Sequence, residues 1–447
     1  VGKNREREAF LELRGSDQAK VLRHIFFAER AASTRSCYPR PDRPIERAIV
    51  VGGGNMGASI AYALARASIT VTLVEMDAQR AADARRRFSG LVEQGTKKGV
   101  LTEKEANSIS SLTNVVVGLE NLGAADIAIE AVFENFAVKK AIFAALGDNL
   151  PPSTILATNT SYLDVDLLAE SVPEPARFLG LHFFSPAHVM KLLEIVRGGR
   201  TAPETLGVGI ALARMLGKVP VVAGVCDGFI GNRILTRYRQ TADILLAEGA
   251  TPSSIDAAMR GFGMAMGPYE AQDMSGLDIA YANRQRQRLD GRADARMLPI
   301  LECLVEEHGR LGRKSMAGWY DYDDAGRLRP SALVEDLIVA ISAKEGFARR
   351  TLSEAQIVDR IITSMIVEAC LILEEGIAAS TQDIDLVLVH GYGFPRWRGG
   401  LMYHADTLTP ACVVARITEF SSADPLGWRV PSLITNLVRD ARSFADA

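Results

Sequence analysis

With 447 residues, 48% hydrophobic and 23% charged, the chain has the composition of a globular protein rather than a disordered one, and enough length for two or three cores. Its 51 Lys and Arg nearly balance 54 Asp and Glu, and a net charge near −3 supplies no broad basic field for nucleic acid or an anionic membrane. An apolar run of about eighteen residues is absent, so no membrane span is expected. Val1 in place of Met suggests a fragment, and the opening Val-Gly-Lys-Asn-Arg-Glu-Arg-Glu does not read as a secretory signal. The cysteines (Cys37, Cys226, Cys303, Cys370, Cys412) are odd in number and scattered, without a CxxC pair; neither a disulfide framework nor a zinc site is indicated, and a reducing compartment fits best.

In chain order, SDQAKVLRHIFFAERAA (residues 16–32) begins with Ser16 or Asp17 as cap and sets Ala19, Leu22 and Phe26 along one helical stripe. STRSCYPRPDRP (33–44) has no periodicity and reads as a linker, so a domain should start near Ile45. From there RAIVV, TVTLVE, NVVVG, DIAIEAV, TILATNT, RFLGLHFF and VPVV alternate with helical patterns and end near Ala223, which predicts a mostly parallel sheet covered by helices. Beyond Gly228 long amphipathic patterns take over, as in NRILTRYRQTADILLAEGA and IVDRIITSMIVEACLILEEGIA.

That helical half repeats itself. LLAEGATPSSIDAAMRGFGMAMGP matches ILEEGIAASTQDIDLVLVHGYGFP, aligning Glu248-Gly249, Ile255-Asp256 and Gly261-Phe262-Gly263 with Glu375-Gly376, Ile384-Asp385 and Gly391-Tyr392-Gly393. A common helix end followed by a common helix start is the bland reading; the ordered recurrence of three landmarks and a proline favours duplication. The expected layout is a linker helix and linker over 1–44, an α/β domain over 45–223, and two tandem helical domains over 224–330 and 331–447.

Gly52-x-Gly54-x-x-Gly57 lies directly after an apolar strand and before an alanine-rich helix, the context in which this motif binds a dinucleotide in a Rossmann-type domain. Gly52 permits the tight turn, Gly54 lets backbone approach the pyrophosphate, and Gly57 lets helix and strand pack closely; the exposed amides and helix dipole stabilise phosphate charge. Glu75 ends the next strand, placed to accept hydrogen bonds from a ribose and to repel a 2′-phosphate, which favours NAD over NADP. FAD uses the same fingerprint, and the segments that follow favour nicotinamide.

His182 closes an apolar strand, and Glu194 follows twelve residues later after a Ser-Pro turn. Alcohol oxidation needs a base of near-neutral pKa, and an imidazole held by a carboxylate suits that work. From spacing alone a lone histidine beside an apolar run is more often structural, so both readings stay open. Metal catalysis gains no support, because His182 and His188 lack a third clustered ligand. Nor does Ser161 sit in a GxSxG elbow.

Taken together, GGGNMG, EAVFEN, TNTS, HFFSPAHVMKLLEIV, DGFIGNRIL, GRLGRKSMAGWYDY and HGYGFPRWRGG resemble the 3-hydroxyacyl-CoA dehydrogenase family, in the form fused to enoyl-CoA hydratase in fatty acid β-oxidation, over essentially the whole chain. The resemblance implies that His182 is the base and Glu194 the acid that orients it. It matches Ser161 and Asn232 to groups that hydrogen-bond the reacting oxygen and the acyl group, and Glu134 and Lys139 to positions along the nicotinamide half of NAD. Read singly, each of Ser161, Asn232 and Lys139 has an ordinary alternative, as helix cap, helix start and solvated lysine. Departures are Ser185, where many relatives carry Asn, and Ser315-Met316, where GRKTG is more usual.

By the same resemblance the N-terminal helix is the one that joins hydratase and dehydrogenase halves, expected to seek contact with a hydratase half or a thiolase subunit. No hydratase activity is expected of these residues. The duplicated helical units imply a monomer with an internal pseudo-dimer. The implied reaction converts an (S)-3-hydroxyacyl-CoA and NAD to 3-ketoacyl-CoA and NADH; a dehydrogenase of a small 3-hydroxy acid and a catalytically silent NAD-binding scaffold stand as alternatives. Arg197, Arg200, Arg313 and Lys314 are basic candidates for CoA phosphates, with solvated surface as the default for each. The chain ends Phe-Ala-Asp-Ala, which is no peroxisomal tripeptide, so bacterial cytoplasm is the expected location.

Overall fold

The short apolar runs become strands of one sheet in the computed structural model, which describes residues 2–34, 37–120, 122–291, 297–424 and 427–447. Helices α1 (Gly2–Gly15) and α2 (Asp17–Ser33) precede β1 (Arg47–Val51), α3 (Asn55–Arg66), β2 (Thr70–Glu75), α4 (Ala78–Lys97), α5 (Glu103–Ser111), β3 (Thr113–Val117) and β4 (Ile127–Glu130). Then come α6 (Phe136–Asn149), β5 (Ile155–Thr158), α7 (Val165–Ala169), β6 (Phe178–Phe183), β7 (Leu192–Arg197), α8 (Pro203–Met215) and β8 (Val219–Gly224). The eight strands run in the order β3-β2-β1-β4-β5-β6-β7-β8. All neighbours are parallel except β6 and β7, whose antiparallel register sets His182 opposite Glu194.

Seven of these strands are the expected ones, and β7 is an addition. Glu194 interrupts its apolar run, yet the strand is buried from Leu192 to Val196 because helices cover both faces of the sheet. The core joins Val50, Ile60, Leu73, Ile127, Ile129, Leu179 and Ile195, all fully buried. Each such side chain contributes about 1.5–3 kcal/mol by leaving water.

Two compact units divide the chain, one made of Val1–Asn232 with Glu375–Tyr392, the other of Arg233–Glu374 with Gly393–Ala447. In the first, α2 starts as expected, with the Ser16 hydroxyl accepting from the Ala19 amide at 3.2 Å. Its buried stripe is not the expected one. Val21, Ile25, Ala28 and Ala32 are buried, whereas Leu22 and Phe26 are 42% and 54% exposed. Of the expected linker, residues 35 and 36 lie outside the described residues, and 37–44 carry no helix or strand.

Helix α9 (Gly231–Ala247) opens the helical half, followed by α10 (Pro252–Phe262), α11 (Pro268–Ser275), α12 (Leu277–Leu289) and α13 (Ile300–Glu302). A short antiparallel pair, β9 (Tyr320–Tyr322) with β10 (Leu328–Pro330), interrupts the helices where none was expected to. After it run α14 (Ala332–Lys344), α15 (Glu354–Glu374), α16 (Thr381–Gly391), α17 (Leu401–Leu408), α18 (Pro410–Ala423) and α19 (Ser432–Arg439). Among the described residues no helix is long and apolar enough to cross a membrane.

The aligned repeat positions share conformation. Gly249 and Gly376 both have positive φ, as do Gly263 and Gly393. Within the second unit a Cβ on Gly263 would come within 3.0 Å of Pro395, and one on Gly393 within 2.9 Å of Ala265. Ala265 and Pro395 each lie two residues after an aligned glycine, so the contact is reciprocal.

Candidate active site

The glycine-rich turn follows β1 and is shaped by close approach. A Cβ on Gly57 would lie 1.7 Å from the Gly52 carbonyl oxygen, and Gly52 itself has φ +98°. Gly54 faces open space, and as N-cap of α3 it offers no side chain to the first helical amides. Unsatisfied amides at a helix start beside open space fit a dinucleotide's pyrophosphate. Glu75, at the end of β2, accepts from the Gly53 amide at 2.6 Å, which ties the acid to the turn.

At the end of β4 stands an ion pair that the sequence did not reveal. Glu130 and Lys139 are both fully buried, with Lys139 Nζ 2.8 Å from each Glu130 carboxylate oxygen. Glu130 also accepts from the Thr158 hydroxyl at 2.8 Å and the Val132 amide at 2.7 Å. Burial raises the Glu130 pKa against the opposing pull of Lys139 and these donors. Lys139 is thus not a solvated lysine. It donates to the Asn159 carbonyl at 3.1 Å and lies 3.4 Å from Glu134. One Glu134 oxygen accepts from the Thr160 hydroxyl at 2.5 Å and the amides of Ser161 and Tyr162 at 3.0 and 3.2 Å. Glu134 therefore fixes the loop that carries Ser161.

Next along the sheet, His182 is 4% exposed on β6 and Glu194 is fully buried on β7. Their side chains meet because residues opposite in an antiparallel pair share a face. His182 Nδ1 is 2.7 Å from Glu194 Oε2, and His182 Nε2 is 3.2 Å from the Ser161 hydroxyl. The other Glu194 oxygen accepts from the amides of Ile230 and Gly231, at 3.2 and 3.1 Å, at the start of α9. Because a carboxylate only accepts, Nδ1 carries the proton and Nε2 presents its lone pair toward Ser161. Phe184 and Phe229 flank the ring at 4.5 and 5.7 Å between centroids and keep it from water.

Asn232 follows on α9, with Oδ1 accepting from the Tyr392 hydroxyl at 2.9 Å. Tyr392 also packs edge-on against Phe184, with centroids 5.4 Å apart. Sequence reasoning missed Tyr392, Glu130 and Asn159, whose side-chain oxygen holds the Phe183 amide at 3.0 Å. Two signals were available: a tyrosine where the aligned repeat has Phe262, and a glutamate ending the otherwise apolar run IAIE.

His182, Glu194 and Ser161 thus form one bonded chain, Glu134 and Lys139 a second beside it, and the glycine turn with Glu75 a third. Arg197 and Arg200 are exposed, and Lys314 pairs with Asp278 at 2.5 Å. Among the described residues no group of three or more His, Cys, Asp or Glu is arranged to hold a metal ion.

Comparison with known proteins bears directly on this arrangement. Residues 47–226 match the 3-hydroxyacyl-CoA dehydrogenase NAD binding domain, and residues 228–322 and 357–441 match the 3-hydroxyacyl-CoA dehydrogenase C-terminal domain. The peroxisomal bifunctional enzyme of Homo sapiens is 37% identical over 444 residues, 95% of this chain and 61% of that protein. The chain therefore spans about 61% of the length of the curated relatives it matches first. The crystal structure of (S)-3-hydroxybutyryl-CoA dehydrogenase from Ralstonia eutropha is 32% identical with a TM-score of 0.59, covering 63% of this chain and all 100% of that one. That of 3-hydroxybutyryl-CoA dehydrogenase from Escherichia coli has a TM-score of 0.76 at 25% identity, covering 88% of this chain and 98% of that one.

The sheet and its dinucleotide turn define an NAD-binding domain. The chain belongs to the 3-hydroxyacyl-CoA dehydrogenase family.

Proposed function

We propose that this chain oxidises (S)-3-hydroxyacyl-CoA to 3-ketoacyl-CoA, with His182 as the base. The observation that carries the reading is the bonded series Glu194–His182–Ser161 on the NAD-binding sheet. NAD, when bound, accepts the hydride that leaves C3 of the substrate. His182 Nε2 takes the proton of the 3-hydroxyl as the carbonyl forms. Glu194 stabilises the resulting imidazolium, and its own charge is held by the Ile230 and Gly231 amides. The Ser161 hydroxyl and the Asn232 amide would hydrogen-bond the reacting oxygen and the acyl group, where such donors stabilise developing charge. Tyr392 supports this assignment by occupying Asn232 Oδ1, which orients the amide. Gly52, Gly54, Gly57 and Glu75 would hold the pyrophosphate and adenosine ribose of NAD, and Glu134 with Lys139 the edge of the nicotinamide half.

The test is NADH oxidation, followed by absorbance, with acetoacetyl-CoA as substrate. Turnover lost by about 10²–10⁴-fold in His182→Ala, the range of general-base catalysis, supports the reading. NADH binding without turnover of acetoacetyl-CoA or any longer 3-ketoacyl-CoA overturns it.

Two helical copies within one chain, 224–330 and 331–447, are the reading that the reciprocal Gly263–Pro395 and Gly393–Ala265 contacts support, since such reciprocity is what an isologous pair makes. A monomer follows, and a dimer in sedimentation would overturn it. The exposed Leu22, Phe26 and Phe27 of α2 support a docking role toward a hydratase half or thiolase subunit. These residues themselves should not hydrate crotonyl-CoA. The scattered cysteines, without a CxxC pair, support a reducing location, for which we propose bacterial cytoplasm, to be tested by cell fractionation.

A further inference from the structure

His182 and Glu194 depend on one connection, residues 184–191, for their separation. Inside it the amides of Val189 and Met190 both donate to the Pro186 carbonyl, at 2.9 and 3.0 Å, but these bonds fix only the turn's own shape. Besides Phe184 against Tyr392 and the Val219 amide on the Lys191 carbonyl at 2.7 Å, two elements fix the turn to the body of the domain. Lys218, just before β8, is 6% exposed, and its Nζ donates to the carbonyls of Ala187 and Met190 at 2.5 Å each. The same ammonium lies 5.7 Å from the centre of the Phe183 ring, next to His182 in sequence. From α3, Ser59 meets His188 twice, with Oγ 2.8 Å from Nδ1 and accepting the His188 amide at 3.3 Å. Tyr62, one turn further along α3, packs edge-on against the His188 ring at 5.2 Å.

A buried ammonium with carbonyl partners and, among the described residues, no carboxylate partner is costly. Burial pushes the Lys218 pKa down to about 8. An apolar side chain of the same length would avoid that cost and leave the buried Ala187 carbonyl and the half-buried Met190 carbonyl without this donor. We propose that Lys218 is a positioning residue for the base: with the Ser59–His188 contact it clamps the turn, and so sets the spacing of His182 and Glu194. The proposal rests on the reading of His182 as base. The clamp also ties the hairpin to α3, the helix that begins at the dinucleotide turn, so base and cofactor site share one rigid frame.

The test compares Lys218→Met, Lys218→Arg and Ser59→Ala with the parent, in acetoacetyl-CoA reduction by NADH. Thermal unfolding is followed alongside. Lys218→Met should lower kcat by roughly 10–100-fold, the cost of displacing a catalytic group by about 1 Å, with little change in KM for NADH. Lys218→Arg, which keeps a buried donor, should recover part of that loss, and Ser59→Ala should lose less in the same direction. A folded Lys218→Met with parent kcat overturns the clamp, as does an equal loss in every variant tracking only their stability. If Lys218→Met does not fold, Ser59→Ala decides, and unchanged kcat there overturns the proposal. Parent-like turnover by His182→Ala overturns the base and the clamp together; loss there with parent-like clamp variants overturns the clamp alone.

Discussion

Replacing Glu194 by glutamine keeps the shape of the side chain and removes its charge, so the consequence can be worked from hydrogen-bond directions alone. One Glu194 oxygen accepts from the Ile230 and Gly231 amides, both donors that cannot turn round. The side-chain oxygen of the glutamine must stay there, or two buried N–H groups lose their acceptor at about 1–3 kcal/mol each. Its NH₂ then faces His182 Nδ1, which has to accept, and the imidazole proton moves to Nε2. The nitrogen that faces Ser161 becomes a donor and has no lone pair for a substrate proton. In serine hydrolases the corresponding carboxylate-to-amide change costs about 10⁴ in kcat through the wrong tautomer. For Glu194→Gln we expect a kcat loss of roughly 10²–10⁴ with little change in KM for NAD. Unfolding should shift by no more than about 2 kcal/mol, because a lost charge-assisted bond is offset by relief of a buried charge. The assay is oxidation of (S)-3-hydroxybutyryl-CoA by NAD across pH, paired with urea unfolding. A folded Glu194→Gln enzyme with kcat within about threefold of the parent, a difference worth under 1 kcal/mol, would refute the tautomer argument.

Lys139→Met leaves Glu130 buried without its cation and should destabilise the protein by about 3–5 kcal/mol in chemical denaturation, with Glu130→Gln added to it recovering most of that. Gly57→Ala puts a Cβ 1.7 Å from the Gly52 carbonyl oxygen and should cost about 3 kcal/mol, the upper end of overpacking, together with NADH binding measured by fluorescence titration. His404 has its pKa lowered by burial from 6.5 to about 4, so above pH 6.5 neither state binds the proton and below it only the unfolded chain does. Stability should therefore fall as pH drops from 6.5 toward 4, by at most about 3 kcal/mol from this group, and His404→Gln should show a flatter urea midpoint over that window.

The sheet was legible because seven of its strands are short apolar runs, rich in β-branched residues and bounded by turns, the pattern of strands covered on both faces. β7 was not, since Glu194 within LLEIV reads as a break until its burial beside His182 is known. The phase of α2 failed for a related reason. HIFFA is apolar nearly all round, so both Val21–Ile25 and Leu22–Phe26 make stripes at helical spacing, and the neighbour α16 decides which one is covered. Local pattern is enough for the helix and its Ser16 cap; only packing settles its rotation.

In the site, the glycines were legible because their requirement is steric and local, as the Gly57–Gly52 approach illustrates. The roles of the two buried carboxylates were not, because they depend on what each one faces. Glu130 and Glu194 both end up fully buried on this sheet, and each accepts from backbone amides. Glu130 faces the ammonium of Lys139, 2.8 Å from each carboxylate oxygen, which locks the pair. Glu194 faces the imidazole of His182, and its other oxygen is held by the Ile230 and Gly231 amides. The same residue type thus forms a fixed strut at one strand and, in the proposed function, orients the base at another, and the difference lies in whether its basic partner is a lysine or a histidine.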